Sequence, residues 1–391
     1  MFWKIEAWLV LVLALLAVIG AILFGAVVLD QNRGNSHLGK KVGAAAVSVA
    51  EVPWSLLKLV QPDKSMTVFR PKNVAGKSGW STVDEAAAAG PEGYVLLSRY
   101  DGNLKRPVVE LRSLPDGKVL YEWKPDVETL LKDVPRPASA IADYTRWNLR
   151  RYRVIHPLLM DNGDLIIKDH QSALFRITPC GDAVWTQDEH LYHHSTQPDG
   201  AGGVWVPSYV EPSPIKKTGK LFKDDALARI GPDGKLLYFK SLTQIMIDNG
   251  LFYAIFGPGT KLDDPLHLND IEPVLADGPY WRKGDLFLSL RHLSAIILFR
   301  PSTGKIVWMK RGPWMGQHDV DIIDDHTIGV FNNNAYNAGT GPYVRGISEV
   351  LYYDFATDSV SSPFRAGLEK IHTLSFYEGL FDLMPSGYLF M

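Results

Sequence analysis

The most constraining feature of this sequence is a unit that recurs along residues 91–391, in which short apolar strands alternate with Gly, Asp and Pro turns. The unit begins at a turn, continues through two or three apolar strands and often ends at a tryptophan. Period-2 apolar runs between such turns are typical of antiparallel strand hairpins. The copies lie at residues 92–123, 161–185, 200–239, 283–308, 324–360 and 377–391. The third copy contains a polar insertion, residues 211–223, which we expect to be a loop.

Repeats of this size with several strands and a Trp-bearing turn predict an all-β fold, a six-bladed β-propeller with one blade per copy. A set of stacked β-sandwiches is the alternative, but it leaves the recurring Gly-Lys-apolar-Trp turn unexplained. The sequence stops at Met391 within a strand pattern. We therefore expect either residues near the start of the domain or a longer polypeptide to complete the last blade.

The composition is that of a folded globular protein, and its charge balance and cysteine count limit the partners and sites that the chain can have. Apolar residues make up 46% and charged residues 21% of the 391 residues. The 41 Lys and Arg residues balance 43 Asp and Glu residues, so no positive excess favours a nucleic-acid partner. The one cysteine, Cys180, excludes a disulfide within the chain and a multi-cysteine zinc site.

Residues 7–29 form a run of 23 residues without a charge, which is long enough for one transmembrane helix. A cleaved signal peptide would have a shorter apolar region and a clear cleavage site, so an uncleaved anchor is favoured. One basic residue, Lys4, precedes the run, whereas Arg33, Lys40 and Lys41 follow it. By the positive-inside rule this small bias would place the C-terminal side in the cytoplasm, but large domains can translocate regardless, so charge leaves the topology open.

We divide the chain into an anchor at residues 1–30, a linker or juxtamembrane segment at 31–90 and the β-propeller domain at 91–391. Within the linker, residues 42–60 are apolar and are interrupted by Pro53. Two interpretations are equally open. The segment forms a short helix near the membrane surface, or it is a linker that packs against the main domain.

Four short polar motifs occur at the start of predicted blades or on their first strands, namely YHHS at 192–195, LHLND at 266–270, SLRH at 289–292 and QHD at 317–319. Equivalent positions of successive blades converge on the central channel, so His194, His267, Arg291 and His318 are expected to line one pocket. Three imidazoles suit a metal ion, but a neighbouring guanidinium would repel it. Arginine and histidine with the Asn269 amide suit a tetrahedral oxyanion such as sulfate or phosphate instead.

These motifs, in their order and spacing, resemble those of the bacterial arylsulfate sulfotransferases, over residues 151–345. The resemblance implies a six-bladed propeller that needs no cofactor and does not use PAPS. It also implies transfer of a sulfuryl group from an aryl sulfate donor to a phenolic acceptor through a sulfohistidine. Two motifs depart from the family pattern, because Ser195 stands for an acid in the first and Asn332 for an acid in FNN.

The resemblance implies a role for each candidate residue. His318 would be the nucleophile that carries the sulfuryl group. His267, Asn269 and Arg291 would bind the sulfuryl oxygens, and His194 would transfer protons at the phenolic oxygen. No residue is assigned to a metal. The other acids are expected to have ordinary roles, Asp263 and Asp264 as loop acids and Asp319 and Asp321 as solvated or turn-binding groups.

The anchor and the resemblance together imply a single-pass protein of the bacterial inner membrane with its propeller in the periplasm. The alternative hypothesis is a non-catalytic propeller subunit or scaffold of a membrane complex, which the anchor and the altered HHS and FNN motifs favour. The partners expected are membrane-complex subunits or further copies of the chain in a homo-oligomer. A metal-dependent hydrolase is a third hypothesis, which Arg291 weakens.

Overall fold

The structure is a computed structural model that describes residues 6–32, 37–60, 90 and 92–391. The chain divides into two compact units, Met1–Ala75 and Gly76–Met391. Most of the predicted linker, including residues 61–89, lies outside the described residues. The three-part division of the sequence therefore stays a prediction.

The first unit contains two helices, α1 at Ala7–Asn32 and α2 at Lys40–Val60. One stretch of α1, Ala7–Gln31, is long and apolar enough to cross a membrane, and none of it is buried against other residues. The predicted N-terminal apolar helix is therefore present. Residues 42–60 are helical in spite of Pro53, as one of the two interpretations expects, and α2 contacts α1.

The second unit is mostly β, because its period-2 apolar runs pair as antiparallel strands. The first sheet has β1 at Gly93–Asp101, β2 at Arg106–Leu114 and β3 at Val119–Trp123. The next four strands form a meander, β4 at Leu158–Leu159, β5 at Leu165–Ile167, β6 at Ser172–Ile177 and β7 at Ala183–Tyr192. Four more follow, β8 at Gln197–Pro198, β9 at Val204–Val210, β10 at Asp224–Ile230 and β11 at Leu236–Ser241. One residue pair, Tyr192 with Ser208, joins these two meanders.

Two further four-stranded sheets and two hairpins complete the unit. The first sheet has β12 at Leu268–Pro273, β13 at Leu286–Leu290, β14 at Ala295–Arg300 and β15 at Lys305–Arg311. The second pairs β16 at Val320–Ile322, β17 at Thr327–Asn332, β20 at Glu349–Asp354 and β21 at Ser359–Ser361. The hairpins are β18 at Ala335–Asn337 with β19 at Pro342–Val344, and β22 at Asp382–Leu383 with β23 at Leu389–Phe390.

Four short helices lie between these strands, α3 at Val127–Leu130, α4 at Leu242–Asp248, α5 at Phe252–Phe256 and α6 at Arg365–Ile371. Helix α4 begins at an N-cap, where the Ser241 side chain accepts from the Gln244 N–H. The predicted insertion, residues 211–223, is a loop without helix or strand.

The strands of one sheet separate two apolar cores. Along β13, Leu286, Leu288 and Leu290 pack into a core with α4 and α5, while Phe287 packs into another core with β17 and β20. Successive side chains of a strand point to opposite faces, so one mostly apolar strand serves both cores. Each such side chain stabilises the fold by roughly 1.5–3 kcal/mol.

The structure confirms a mostly β fold with several antiparallel sheets and one N-terminal apolar helix. Each of the six predicted units coincides with consecutive antiparallel strands, from β1–β3 to β22–β23. The closed six-bladed arrangement stays a prediction.

Candidate functional site

The four predicted motifs lie in turns beside strand ends. His194 lies between β7 and β8, His267 directly precedes β12, and His318 lies two residues before β16. Arg291 begins a 3-10 turn, Arg291–Leu293, directly after β13. Its motif therefore lies at the end of the second strand of its sheet, which differs from the predicted position at the start of a blade or on its first strand.

The same backbone conformation recurs at three histidines that precede strands, two of them in these turns. His156, His194 and His267 have φ of 44°, 51° and 56°, and each lies one to three residues before a strand. A non-glycine residue rarely has positive φ, and such strained residues concentrate at functional sites. Repeated units thus place a histidine in the same local geometry, which a sequence pattern of turns alone does not reveal.

The three predicted imidazoles form one cluster. The ring centroids of His194 lie 5.1 Å from those of His267 and 6.4 Å from those of His318. Asn269 is buried nearby, and its Nδ2 donates to the Gln317 carbonyl at 2.9 Å. The amide of Asn269 therefore holds the turn that carries His318, whereas the resemblance assigned it to the sulfuryl oxygens.

The hydrogen bonds of His318 define its tautomer. Its Nδ1 lies 2.7 Å from Asn333 Oδ1, and Asn333 Nδ2 donates to the carbonyls of Ser375 (3.2 Å) and Glu378 (2.8 Å). Because Nδ2 lies between two carbonyl oxygens, Oδ1 is the atom that faces His318, and His318 Nδ1 carries the proton. Its Nε2 is then unprotonated and accepts the Glu378 backbone N–H at 2.9 Å.

The same reasoning applies to the other two rings. His193 Nε2 donates to the Ser208 carbonyl at 3.1 Å, so its Nδ1 accepts from His194 Nδ1 at 2.7 Å. His267 Nδ1 donates to Asp264 Oδ2 at 2.7 Å. The three neutral imidazoles therefore each keep Nε2 as the unprotonated nitrogen.

Burial keeps these imidazoles neutral. It lowers the pKa of His318 to about 3, with a smaller contribution from the positive charge of Arg291. Burial lowers the pKa of His194 well below its usual value, and neighbouring imidazoles lower it further. The pKa of His267 is also lowered by burial, although the bond to Asp264 opposes the shift. At neutral pH the three imidazoles are therefore uncharged, and each keeps an unprotonated Nε2.

Arg291 is a partly buried cation without an ion pair to a carboxylate among the described residues. Its Nε is buried without a hydrogen-bond partner, and burial lowers its pKa. Two of its contacts are with a carbonyl and a ring, since Nη2 donates to the Phe376 carbonyl at 3.4 Å and the guanidinium lies 5.4 Å from the Tyr377 ring centroid. A third is with His292. An unpaired guanidinium beside neutral imidazoles is suited to an anionic ligand.

One group of possible metal ligands lies at the site. Ligand atoms of Asp264, His267 and His292 lie within 4.8 Å of one another. However, Lys223 Nζ lies 3.3 Å from Asp264 Oδ2, and Arg291 Nη1 lies 3.4 Å from His292 Nε2. These cations oppose a metal ion at that place. The geometry therefore favours Asp264 as the carboxylate that orients His267.

Sequence reasoning missed several site residues. Asp264 lies in a loop, as expected, but it is 2% exposed and bonds His267, which the sequence did not predict. Asp319 is also buried and accepts the Phe381 N–H at 3.0 Å, which excludes a solvated role and agrees with the turn-binding one. Asn333 stood in a polar run and Glu378 in a terminal unit, and nothing local connects either to His318. The DDPLH spacing, an acid three residues before His267, is the one signal that was available.

Comparison with known proteins identifies the family. The sequence profile described as arylsulfotransferase (ASST) matches residues 156–391, which is more than half of the chain. The chain belongs to the arylsulfotransferase family. Membership indicates arylsulfotransferase-type chemistry, and no curated protein matches the sequence significantly.

Several solved structures are similar at low identity. One is a protein of unknown function from Bacteroides caccae, with 9% identity, TM-score 0.40, and 69% of this chain and 72% of that one covered. Another is hydrazine synthase of Kuenenia stuttgartiensis, with 11% identity, TM-score 0.39, and 69% and 62% covered. A chain of a mitotic checkpoint complex has 8% identity, TM-score 0.35, and 71% and 64% covered. These likenesses are too distant to bear on arrangement or function.

Two arylsulfotransferase motifs are altered in this chain, and both substituted residues have structural partners. Ser195 is buried, and its Oγ accepts the Ile271 N–H at 3.3 Å, which ties the turn to β12. Asn332 Oδ1 accepts the backbone N–H groups of Met315 and Asn334. Neither residue contacts an imidazole of the cluster in these bonds.

Proposed function

We propose that the protein transfers a sulfuryl group from an aryl sulfate to a phenol through a sulfohistidine at His318. The observation that carries the proposal is the guanidinium of Arg291, partly buried and not ion-paired, beside an imidazole whose Nε2 is unprotonated. Family membership supplies the chemistry, and the neutral imidazole cluster supports a nucleophile and a base.

In the first half-reaction His318 Nε2 attacks the sulfur, an N–S bond forms and the S–O bond to the aryl group breaks. The aryloxide leaves as an anion and takes its proton from water, because neutral His194 has its proton on Nδ1, bonded to His193. In the second half-reaction neutral His194 takes the proton of a new phenol. The phenolic oxygen then attacks the sulfur, the N–S bond breaks and His318 is restored. The proton that His194 gains in the second half-reaction returns to water.

Charge develops on the sulfuryl oxygens and on the departing oxygen during both steps. Arg291 offers a fixed positive charge there, and His267 becomes a donor when it binds a proton, which the Asp264 carboxylate favours. Such prearranged donors typically lower the barrier by about 3–4 kcal/mol each.

We also propose that the strands of the second unit form a closed six-bladed propeller. The four four-stranded meanders support this, as do the sheet β1–β3 and the small hairpin β22–β23 at the end of the chain. Residues of β1 and of the C-terminal hairpin line a common cavity, as expected if the last blade lies beside the first. With α1 as anchor, the propeller is proposed to lie on the periplasmic side of a bacterial inner membrane.

A second candidate function is a non-catalytic propeller subunit of a membrane complex. The observation that favours it is the occupied nucleophile, because His318 Nε2 already accepts the Glu378 N–H. Arg291 likewise donates to Phe376 of the same segment. In this alternative the pocket stays closed and the protein acts through membrane partners.

Intact mass spectrometry separates the two functions. The detergent-purified protein is exposed to 4-nitrophenyl sulfate without acceptor, and we expect one sulfuryl adduct at His318 that disappears when phenol is added. His318→Ala should abolish the adduct, whereas His326→Ala, which changes an exposed turn histidine, should leave it unchanged. A folded protein that forms no adduct and releases no nitrophenol would instead support the non-catalytic subunit.

A further inference from the structure

Five carboxylates gather on three elements outside the imidazole cluster. Asp270 and Glu272 lie on β12, Asp319 and Asp321 lie at the start of β16, and Asp382 lies on β22. We call these residues the acidic cluster. Backbone bonds join the three elements, because the Val320 N–H donates to Asp270 Oδ2 and the Phe381 N–H donates to Asp319 Oδ2.

The acidic cluster has no ion pair with Lys, Arg or His among the described residues. Asp270 and Asp319 are 1% and 3% exposed, and Glu272 and Asp321 are half-buried. The nearby ammonium of Lys168 is already bonded to Thr196 Oγ1, and to the carbonyls of Ile155 and His194. Like charges are therefore brought together without protein cations to balance them.

One fully buried oxygen of the acidic cluster has no hydrogen-bond partner. Asp319 Oδ1 is buried and accepts no hydrogen bond, although Oδ2 of the same carboxylate is bonded. A buried carboxylate oxygen without a donor costs free energy unless a ligand satisfies it. This oxygen therefore indicates a missing positive partner.

A cavity of about 450 Å³ adjoins the acidic cluster. Its lining includes Asp319, Asp321 and Asp382, with the side chains of Gln197, Thr196 and His156 at the same cavity. The cavity thus gives an ion and its waters room beside three carboxylates. Apart from His156, the polar lining offers oxygen and amide groups rather than imidazole or thiolate.

Burial and mutual repulsion raise the pKa of Asp319 and Asp321 well above the usual value. Burial raises the pKa of Asp270 to about 6. Repulsion of this kind disappears when a divalent cation binds between the carboxylates. The direction of these shifts agrees with the geometry.

We propose that the acidic cluster binds a hard divalent cation of the calcium class in the cavity between β12, β16 and β22. Carboxylate oxygens are the ligands that such cations prefer. No three described carboxylates of the cluster hold their oxygens within 4.8 Å of one another, so the cation retains part of its water shell. Its position ties the short C-terminal hairpin to the two central sheets and lies outside the proposed sulfuryl pocket.

The test uses the full-length protein in detergent, stripped with EDTA and then titrated with Ca²⁺, Mg²⁺ or Zn²⁺ while thermal unfolding is followed. Saturating Ca²⁺ should raise the unfolding midpoint by roughly 5 °C, with one ion bound per chain by elemental analysis. Asp321→Asn and the exposed Asp382→Asn should each reduce this shift by more than half. Asp133→Asn, which changes an exposed acid outside the acidic cluster, should leave it intact.

Three results would overturn the proposal. The first is an unfolding midpoint that no divalent cation raises. The second is an equal calcium shift in the wild type and in both cluster variants. The third is an Asp321→Asn variant that is more stable than the wild type in EDTA and in Ca²⁺ alike, because protons would then hold the cluster together. Asp382→Asn keeps the test valid should Asp321→Asn fail to fold.

Discussion

At the scale of single residues, the chemistry of the proposed nucleophile depends on its hydrogen bond to Asn333 and on the burial of its ring. Asn333 Oδ1 accepts a hydrogen bond from His318 Nδ1–H, and the Asn333 amide is itself held by two carbonyls, so the proton of the imidazole stays on Nδ1. Burial lowers the pKa of the same ring. Together they leave Nε2 unprotonated over the whole physiological pH range.

The pH profile of adduct formation should reflect this burial. With the pKa of His318 at about 3, the imidazole stays neutral and Nε2 stays unprotonated as the pH falls. The rate of adduct formation should therefore change little between pH 8 and pH 5. Asn333→Asp places a carboxylate beside Nδ1, which stabilises the imidazolium and should move the acid limb to higher pH. Stopped-flow release of nitrophenol measures both profiles. A wild-type limb near pH 6.5 would show that His318 has the pKa of an exposed histidine.

The orientation of His267 can be tested at Asp264, with its neighbour Asp263 as the matched control. Asp264 is buried and bonds His267, whereas Asp263 is exposed. Asp264→Asn should slow adduct formation by roughly 100-fold, because His267 loses the carboxylate that orients it and favours its protonation during the reaction. Asp263→Asn should leave the rate of adduct formation within twofold of the wild type. An equal loss of rate in both variants would show that removal of one negative charge, and not the bond to His267, causes the effect. Rates for both variants come from the same nitrophenol assay.

At the scale of elements, the segment between α6 and β22 covers the site. We call residues 375–379 the capping segment. Its backbone and side chains contact His318, Arg291 and Asn333, and the Glu378 carboxylate lies 3.3 Å from Arg153 Nη1. Substrate can reach Nε2 only when the Glu378 N–H is displaced, so the proposed transfer requires movement of this segment.

Gly379 limits the conformation of the capping segment. It has φ of +146°, and a Cβ there would lie 2.3 Å from Phe331 Cε1. Gly379→Ala should therefore lower the free energy of unfolding by about 1–3 kcal/mol. Gly367→Ala is the control, because that glycine lies in α6 with open space around it and alanine favours helix. Urea titration measures both, and equal stabilities would mean that the close packing on Phe331 relaxes freely.

At the scale of the whole molecule, the topology across the membrane is the open question that the single cysteine can answer. Cys180 is free and exposed. In cells with a permeabilised outer membrane, a membrane-impermeant maleimide should label it from the periplasmic side, and Cys180→Ser should remove the signal. Labelling only after the inner membrane is broken would place the β unit in the cytoplasm, as the flanking charges alone suggest.

Much of the fold was predictable because its signals are local. Turn residues and period-2 apolar runs predicted the strands of all six units, and a 23-residue uncharged run predicted α1. The site was predictable only in part. Motif order and spacing selected His194, His267 and His318, but the positions of Asp264 and Glu378 relative to them depend on how turns from different sheets meet.

The sequence by itself determined the membrane-length helix, the antiparallel strands and the family, since each depends on residues close together along the chain. Tertiary structure alone decided which ring nitrogen of His318 is free, which cation has no carboxylate partner and which acids are buried together. The contacts that decide these properties join residues of different strands and turns, in one case 60 positions apart, as between Glu378 and His318. Such contacts form only when separate sheets pack, so no local pattern encodes them.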